Sequence, residues 1–251
     1  MESTSTAPNN TKPVVEINHL QKSFGSNKVL DDVNIALKKG ENLVVLGKSG
    51  SGKSVLIKCI VGLIEADSGE LIVQGQRIDE LDTKQLNTLR KKVGFLFQSG
   101  ALYDSMTVRE NLAFPLRDQH TLSQVDKTVL IEEALENVAL SEAIDKMPSE
   151  LSGGMRKRLG LARTLILKPE IMLYDEPTTG LDPITSREIS KLIISIQNKY
   201  NTSSIIITHD MPCAQITANR MVVLHQGKVH AEGTYDELAV SEDEMIRSFF
   251  N

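Results

Sequence analysis

The chain has 251 residues, 40% of them hydrophobic and 24% charged, with a formal net charge of −5. That length supports one sizeable core with a subdomain. The acidic balance excludes a polybasic nucleic-acid footprint, and no apolar run approaches the ~20 residues needed to span a bilayer. The two cysteines, Cys59 and Cys213, stand in separate stretches with no metal-like cluster around them, as in a reduced cytosolic chain.

Residues 1–13 are mostly Ser, Thr, Asn and Pro. They carry no basic-then-apolar leader and read as a disordered tail ahead of one domain over 14–251. Val14–His19 and Lys28–Leu37 alternate as strands around the turn Phe24-Gly25-Ser26-Asn27. The apolar run Asn42–Leu46 enters Gly47-Lys48-Ser49-Gly50-Ser51-Gly52-Lys53-Ser54, and Val55-Leu56-Ile57 leaves it as a buried helix. Glu70–Val73 and Arg77-Ile78 flank Gln74-Gly75-Gln76 as a hairpin. A helix is expected over Thr83–Lys92 and a short buried strand over Val93–Phe97. From Ser99 to Leu167 no strand pattern occurs. Thr107-Val108-Arg109-Glu110 is a capping box, and Val129, Leu130, Ala134, Leu135 and Val138 carry helical spacing. This predicts a helical subdomain, 99–167, inserted between two core segments, 14–98 and 168–251. Strand patterns return at Ile171–Tyr174, Ser204–Thr208 and Met221–Leu224. An amphipathic helix through Ile189, Leu192, Ile193 and Ile196 lies between the first two. Ser241-Glu242-Asp243-Glu244 reads as a second capping box opening a terminal helix. Strands alternating with helices make this an α/β chain with a mostly parallel sheet covered on both faces.

The Gly47–Ser54 stretch is the phosphate-loop pattern G-x-x-x-x-G-K-[ST], set between a strand and a helix. Its glycines let backbone N–H groups curl around phosphate oxygens, and the helix opening near Lys53 adds its positive dipole end. Lys53 offers a mobile cation to the β- and γ-phosphates, and Ser54 a hydroxyl to Mg²⁺. Ile171–Glu176 is an apolar strand ending in two carboxylates. Asp175 suits the Mg²⁺ shell, and Glu176 suits orienting or deprotonating an attacking water. Leu151-Ser152-Gly153-Gly154-Met155, just before the helical stretch Arg156–Ile166, reads either as a second anion-binding helix end or as a plain helix capped by Ser152.

These motifs together resemble the nucleotide-binding subunits of ABC transporters, over about Val14–Phe249. Gly47–Ser54 is similar to Walker A, Leu151–Gly154 to the LSGGQ signature with Met155 for Gln, and Asp175 and Glu176 to Walker B and the catalytic glutamate. Gly180-Leu181-Asp182 resembles the D-loop, Gln98 the Q-loop glutamine and His209 the switch histidine. Phe24 stands where the family places an aromatic against adenine. The fold implied is the ABC-type P-loop NTPase. It has a mostly parallel core, an antiparallel β part and the inserted helical subdomain. The resemblance implies ATP and Mg²⁺ as cofactors. It places Lys48, Ser49, Gly50, Ser51, Gly52 and Lys53 with Gly47, Phe24, Ser152, Gly153 and Gly154 on nucleotide, and Ser54, Gln98 and Asp175 on the metal. Glu176, His209 and Gln98 are then catalytic.

A narrower resemblance rests on Phe97–Leu116 and Met147–Met155, which look like the ATPases of lipid-transport systems with MCE-domain proteins, the Mla and Mkl type. It implies an MCE-type partner. The wider ABC resemblance implies a second copy in a head-to-tail ATP sandwich and an integral permease that holds the chain on the cytoplasmic face of the inner membrane. Ala101, Leu102, Tyr103 and Met106, more apolar than an exposed loop needs, point to permease docking near Ser99–Met106. An amino-acid or ion importer ATPase is the alternative within the class. A soluble ABC protein acting on ribosomes or DNA is the alternative outside it.

Overall fold

The computed structural model describes residues 12–250. The expected tail over 1–13 lies outside the described residues except for Lys12 and Pro13. Two sheets form the framework. β1 (Val15–Phe24), β2 (Asn27–Leu37), β4 (Ser68–Val73) and β5 (Gln76–Arg77) make an antiparallel sheet in the order β2-β1-β4-β5. The second sheet holds β3 (Asn42–Leu46), β6 (Val93–Leu96), β7 (Ile171–Asp175), β8 (Ser203–Thr208), β9 (Arg220–His225) and β10 (Lys228–Gly233). Its order is β10-β9-β3-β8-β7-β6, parallel throughout except for the antiparallel edge β10.

The period-two alternation of the central strands explains how the layers stack. Leu43, Val45, Leu173, Ile205 and Ile207 face a core shared with the antiparallel sheet and with α1 (Lys53–Ile60). Val44, Leu46, Met172, Tyr174 and Ile206 face the opposite way. There they meet α5 (Gly153–Leu165), α6 (Pro183–Tyr200) and α7 (Met211–Thr217). Between β6 and β7 the chain forms α3 (Val108–Ala113), α4 (Gln124–Asn137), α5 and short 3₁₀ turns, with no strand. α2 (Thr83–Arg90) precedes β6, and α8 (Tyr235–Ala239) and α9 (Glu244–Phe250) close the described chain. No helix of the described residues is long and apolar enough to cross a membrane.

Several local expectations need correcting. β1 does not stop at His19. It continues to Phe24 through register shifts, with His19 at φ 54, because β4 and β2 pair with it on both sides. Val129 is 56% exposed, and Ile131 takes its place beside the expected Ala134 and Leu135 on the buried face of α4. The terminal helix is capped by Asp243, whose Oδ1 accepts from Met245 and Ile246 N–H at 2.8 and 3.1 Å. Ser241 only accepts from the Asp243 amide. β10 and α8 were not anticipated. α8 does have a sequence signal, the capping box Thr234-Tyr235-Asp236-Glu237.

One polar cluster ties the two sheets. Arg220 on β9 donates from Nε and Nη2 to the two carboxylate oxygens of Glu41, at 2.7 and 3.0 Å, and also to the Ala36 carbonyl on β2. Burial opposes charge on Glu41, but the bonds from Arg220 and the Lys38 amide prevail and hold its carboxyl below the ordinary glutamate value. We expect Arg220→Met to cost about 3 kcal/mol at neutral pH, because it leaves a buried carboxylate uncompensated. An acid with a depressed folded pKa adds stability above its unfolded pKa and loses it as pH falls through the folded one. The gap between wild type and Arg220→Met in urea melts should therefore close as pH drops below the ordinary glutamate range.

Candidate functional site

The C-terminal ends of the parallel strands carry the site, as open α/β sheets favour. β3 ends at Leu46, and the chain turns through 47–52 into α1. Gly52 stands at the head of that helix with φ 102. A Cβ there would come within 2.6 Å of the Val29 carbonyl. Both the left-handed backbone and the close approach to β2 require glycine. At Gly47 a Cβ would meet Ser51 Oγ at 2.3 Å and the Leu224 carbonyl at 2.6 Å. Lys53 is buried, and its Nζ donates to the carbonyls of Gly47 and Lys48 at 2.6 and 3.2 Å. Burial pushes its ammonium below the ordinary lysine range, while the carboxylates of Glu176 and Asp175 favour the charge.

The acids arrive from β7. Asp175 is buried and accepts from Ser54 Oγ at 3.1 Å. Burial raises its carboxyl above the ordinary aspartate value against the Ser54 bond, and neighbouring Glu176 adds to the rise. At Glu176 the backbone turns left-handed, with φ 51, and its N–H donates to the Ile207 carbonyl at 2.9 Å. Its Oε2 lies 2.9 Å from His209 Nδ1 and accepts from Thr179 Oγ1 at 3.0 Å. β8 lies between β3 and β7, so His209, directly after β8, reaches the gap between the glycine loop and Glu176.

A cleft of about 720 Å³ gathers Gly47, Lys48, Ser49, Gly50, Gly52, Lys53, Ser54, Gln98, Glu176 and His209. Ser51 and Asp175 are buried beside it. Phe24 does not line the cleft. It sits at the β1–β2 tip, half exposed, with the Lys22 amine 5.4 Å from its ring, and Asn27 and Val29 line the cleft instead. Ser152, Gly153 and Gly154 also lie outside the cleft. Ser152 Oγ caps α5 by accepting from the Met155 amide at 3.2 Å. A Cβ on Gly154 would collide with Thr185 at 2.5 Å, which draws the helix start close to α6.

Sequence reading missed Thr179, Lys157, Ser248 and Phe249. Lys157 is buried in α5 one turn from the buried Gly154 and Leu161. A lysine on that apolar face was the available signal.

The donor set fits a polyphosphate with a hard divalent cation. A glycine turn at a helix head, a lysine amine and a buried, unpartnered hydroxyl on Ser51 stand together. The Ser54–Asp175 pair is an oxygen site of the kind such a cation takes beside phosphates. No group of three or more His, Cys, Asp or Glu among the described residues could hold a metal alone.

Residues 30–179 match the family model described as ABC transporter. The probable ribonucleotide transport ATP-binding protein mkl of Mycobacterium tuberculosis (strain ATCC 25618 / H37Rv) is 39% identical over 237 residues, covering 94% of this chain and 66% of that protein. The intermembrane phospholipid transport system ATP-binding protein MlaF of Haemophilus influenzae is 37% identical over 238 residues, covering 94% and 89%. Among solved structures, the ATP-binding cassette MJ0796, a dimer in a post-hydrolysis state bound to ADP and Pi, aligns with TM-score 0.80 at 30% identity. That alignment covers 88% of this chain and 98% of the cassette. The chain belongs to the ABC transporter family, in its class of ATP-hydrolysing cassettes.

The glycine geometry gives a direct test. Gly52→Ala adds a left-handed alanine and a 2.6 Å clash with β2. It should lower stability by about 2–5 kcal/mol in urea unfolding, the sum of the backbone and overpacking costs.

Proposed function

We propose that the chain is the ATP-hydrolysing subunit of a membrane transporter for phospholipid or another lipid, acting as a pair of copies beneath an integral permease. The observation that carries the chemistry is the convergence of Lys53, Ser54, Asp175, Glu176 and His209 on one cleft. The lipid cargo is supported by likeness over 94% of the chain to MlaF, a phospholipid-system ATPase by name.

Bound MgATP would supply the phosphoanhydride to be cleaved and a cation for its oxygens. Lys53 and the amides of 47–54 neutralise and orient the phosphates. Ser54, Asp175 and Gln98 would hold the Mg²⁺ shell. Glu176 takes the proton of the attacking water, and His209, already 2.9 Å from its carboxylate, steadies the γ-phosphate end. Ser152 and Gly153, exposed at the head of α5, and the buried Gly154 behind them complete the charge shell of a second copy's nucleotide. Because that helix end does not line its own chain's cleft, it supports a head-to-tail pair.

Ser99–Met106 supports permease docking. Tyr103 is 38% exposed, its ring tilted against that of Phe114 with centroids 4.5 Å apart, beside a groove lined by Phe97, Ala101, Pro115 and Arg163. An amphipathic helix of the permease fits an apolar groove of this kind. The subunit then rests on the cytoplasmic face of the membrane through the permease, with an MCE-type protein as a further partner.

Glu176→Gln should bind MgATP like wild type and hydrolyse it about 10²-fold or more slowly, since the amide cannot take the proton. Calorimetry and phosphate release measure the two. In the assembled transporter the same variant should stop ATP-driven movement of fluorescent phospholipid between vesicles. Undiminished hydrolysis would refute the role of Glu176. An intact wild-type transporter that hydrolyses ATP but moves no lipid would refute the cargo.

A further inference from the structure

Lys157 lies one turn past the head of α5, with only 7% of its surface exposed. A lysine buried this far normally has a carboxylate partner. Among the described residues Lys157 has none. Its ammonium donates instead to two backbone carbonyls, that of Gln98 and that of Glu176, the latter at 3.2 Å. Both residues line the cleft, and Lys157 itself does not. The same face of α5 is stitched onward to the loop after Gln98. Three residues along, a Cβ on Gly160 would lie 3.1 Å from the Gly100 carbonyl, so helix and loop backbones are nearly in contact. Three residues further, the Arg163 guanidinium donates to the Ala101 carbonyl and lies 4.7 Å from the Tyr103 ring.

The Glu176 carbonyl accepts from α5 at a residue that adopts φ 51, a conformation uncommon outside glycine. Lys157 is the side chain that rewards this turn from behind, while His209 and Thr179 hold the carboxylate in front.

We infer that Lys157 is a positioning residue for hydrolysis, a three-way pin that fixes the Gln98 loop and the Glu176 turn to the helix that begins at Ser152. It touches no reacting atom and acts through the backbones of the two residues that do, so the inference rests on the hydrolytic reading of the cleft. A shift of α5 when its head meets a second copy, or of the 99–106 loop when a permease presses on it, then moves Gln98 and Glu176 together. Arginine can also make such bonds, since its fork reaches two carbonyls. Methionine keeps the stem but offers no donor.

The test compares the full-length wild type with Lys157→Met and Lys157→Arg. Lys157→Met should lose about 10–100-fold in kcat, the scale of misplaced catalytic groups, with KM for MgATP within about twofold because the 47–54 loop keeps all its contacts. In the nucleotide-free chain, hydrogen exchange at the Gly100 and Thr179 amides should speed by about tenfold as both loops loosen, while β1–β2 stays protected. Lys157→Arg should recover most of both. A merely structural lysine would shift KM, kcat and the melting temperature together and leave the two loops no more exposed than the rest. Unchanged exchange at both amides, wild-type turnover in Lys157→Met, or failure of arginine to recover either property would each overturn the inference. Persistent activity of Glu176→Gln would instead strike the hydrolytic reading, with the exchange result still reporting on the pin.

Discussion

The site depends on how β7 ends. Its five residues are buried, so the strand must turn sharply where the core stops. Asp175 stays inside and accepts from Ser54 of the glycine loop. One residue later the backbone turns left-handed, which sends the Glu176 carboxylate into the cleft and its carbonyl back toward α5. A non-glycine residue in this conformation carries a cost of order 1 kcal/mol, held in place by surrounding bonds. Here those bonds come from Ile207, Thr179, His209 and Lys157, on four different parts of the chain. The position of one carboxylate is therefore fixed from β8, from the two loops beside it and from α5.

Much of this was legible in the sequence. The Asn42–Leu46 strand, the glycine loop and the helix from Lys53 stand where the residues place them, because each signal was local and reinforced its neighbours. Apolar runs marked β7, β8 and β9 to within a residue or two, since parallel strands buried on both faces read as continuous apolar stretches. Edge strand β10 was not visible. Its alternate residues Lys228, His230 and Glu232 mask the apolar Val229 and Ala231. Val129 misled because a helix of fourteen residues can carry an apolar residue on either face, and Ile131 and Leu135 won the core.

Contacts made by backbone carbonyls were the hardest to foresee. Nothing in Lys157 itself announces two carbonyl partners 19 and 59 residues away. The approach of the 47–52 loop to β2 depends equally on backbone, and it brings Asn27 and Val29 rather than Phe24 to the cleft wall. The order of strands also mattered. With β8 between β3 and β7, the histidine after β8 falls between the phosphate loop and the glutamate, an adjacency that follows from topology rather than spacing.

In the proposed pair, each copy holds two half-sites, the cleft and the head of α5, which complete each other only across the two copies. Mixing Lys53→Ala with Ser152→Arg subunits tests this most directly. In the mixed pair, one composite site keeps Lys53 from one copy and Ser152 from the other, while each variant alone offers no complete site. Each variant alone should be nearly inactive, and the mixture should form an ATP-dependent heterodimer with restored phosphate release. A mixture as inactive as its components, or wild-type turnover by Ser152→Arg alone, would contradict the proposed pair.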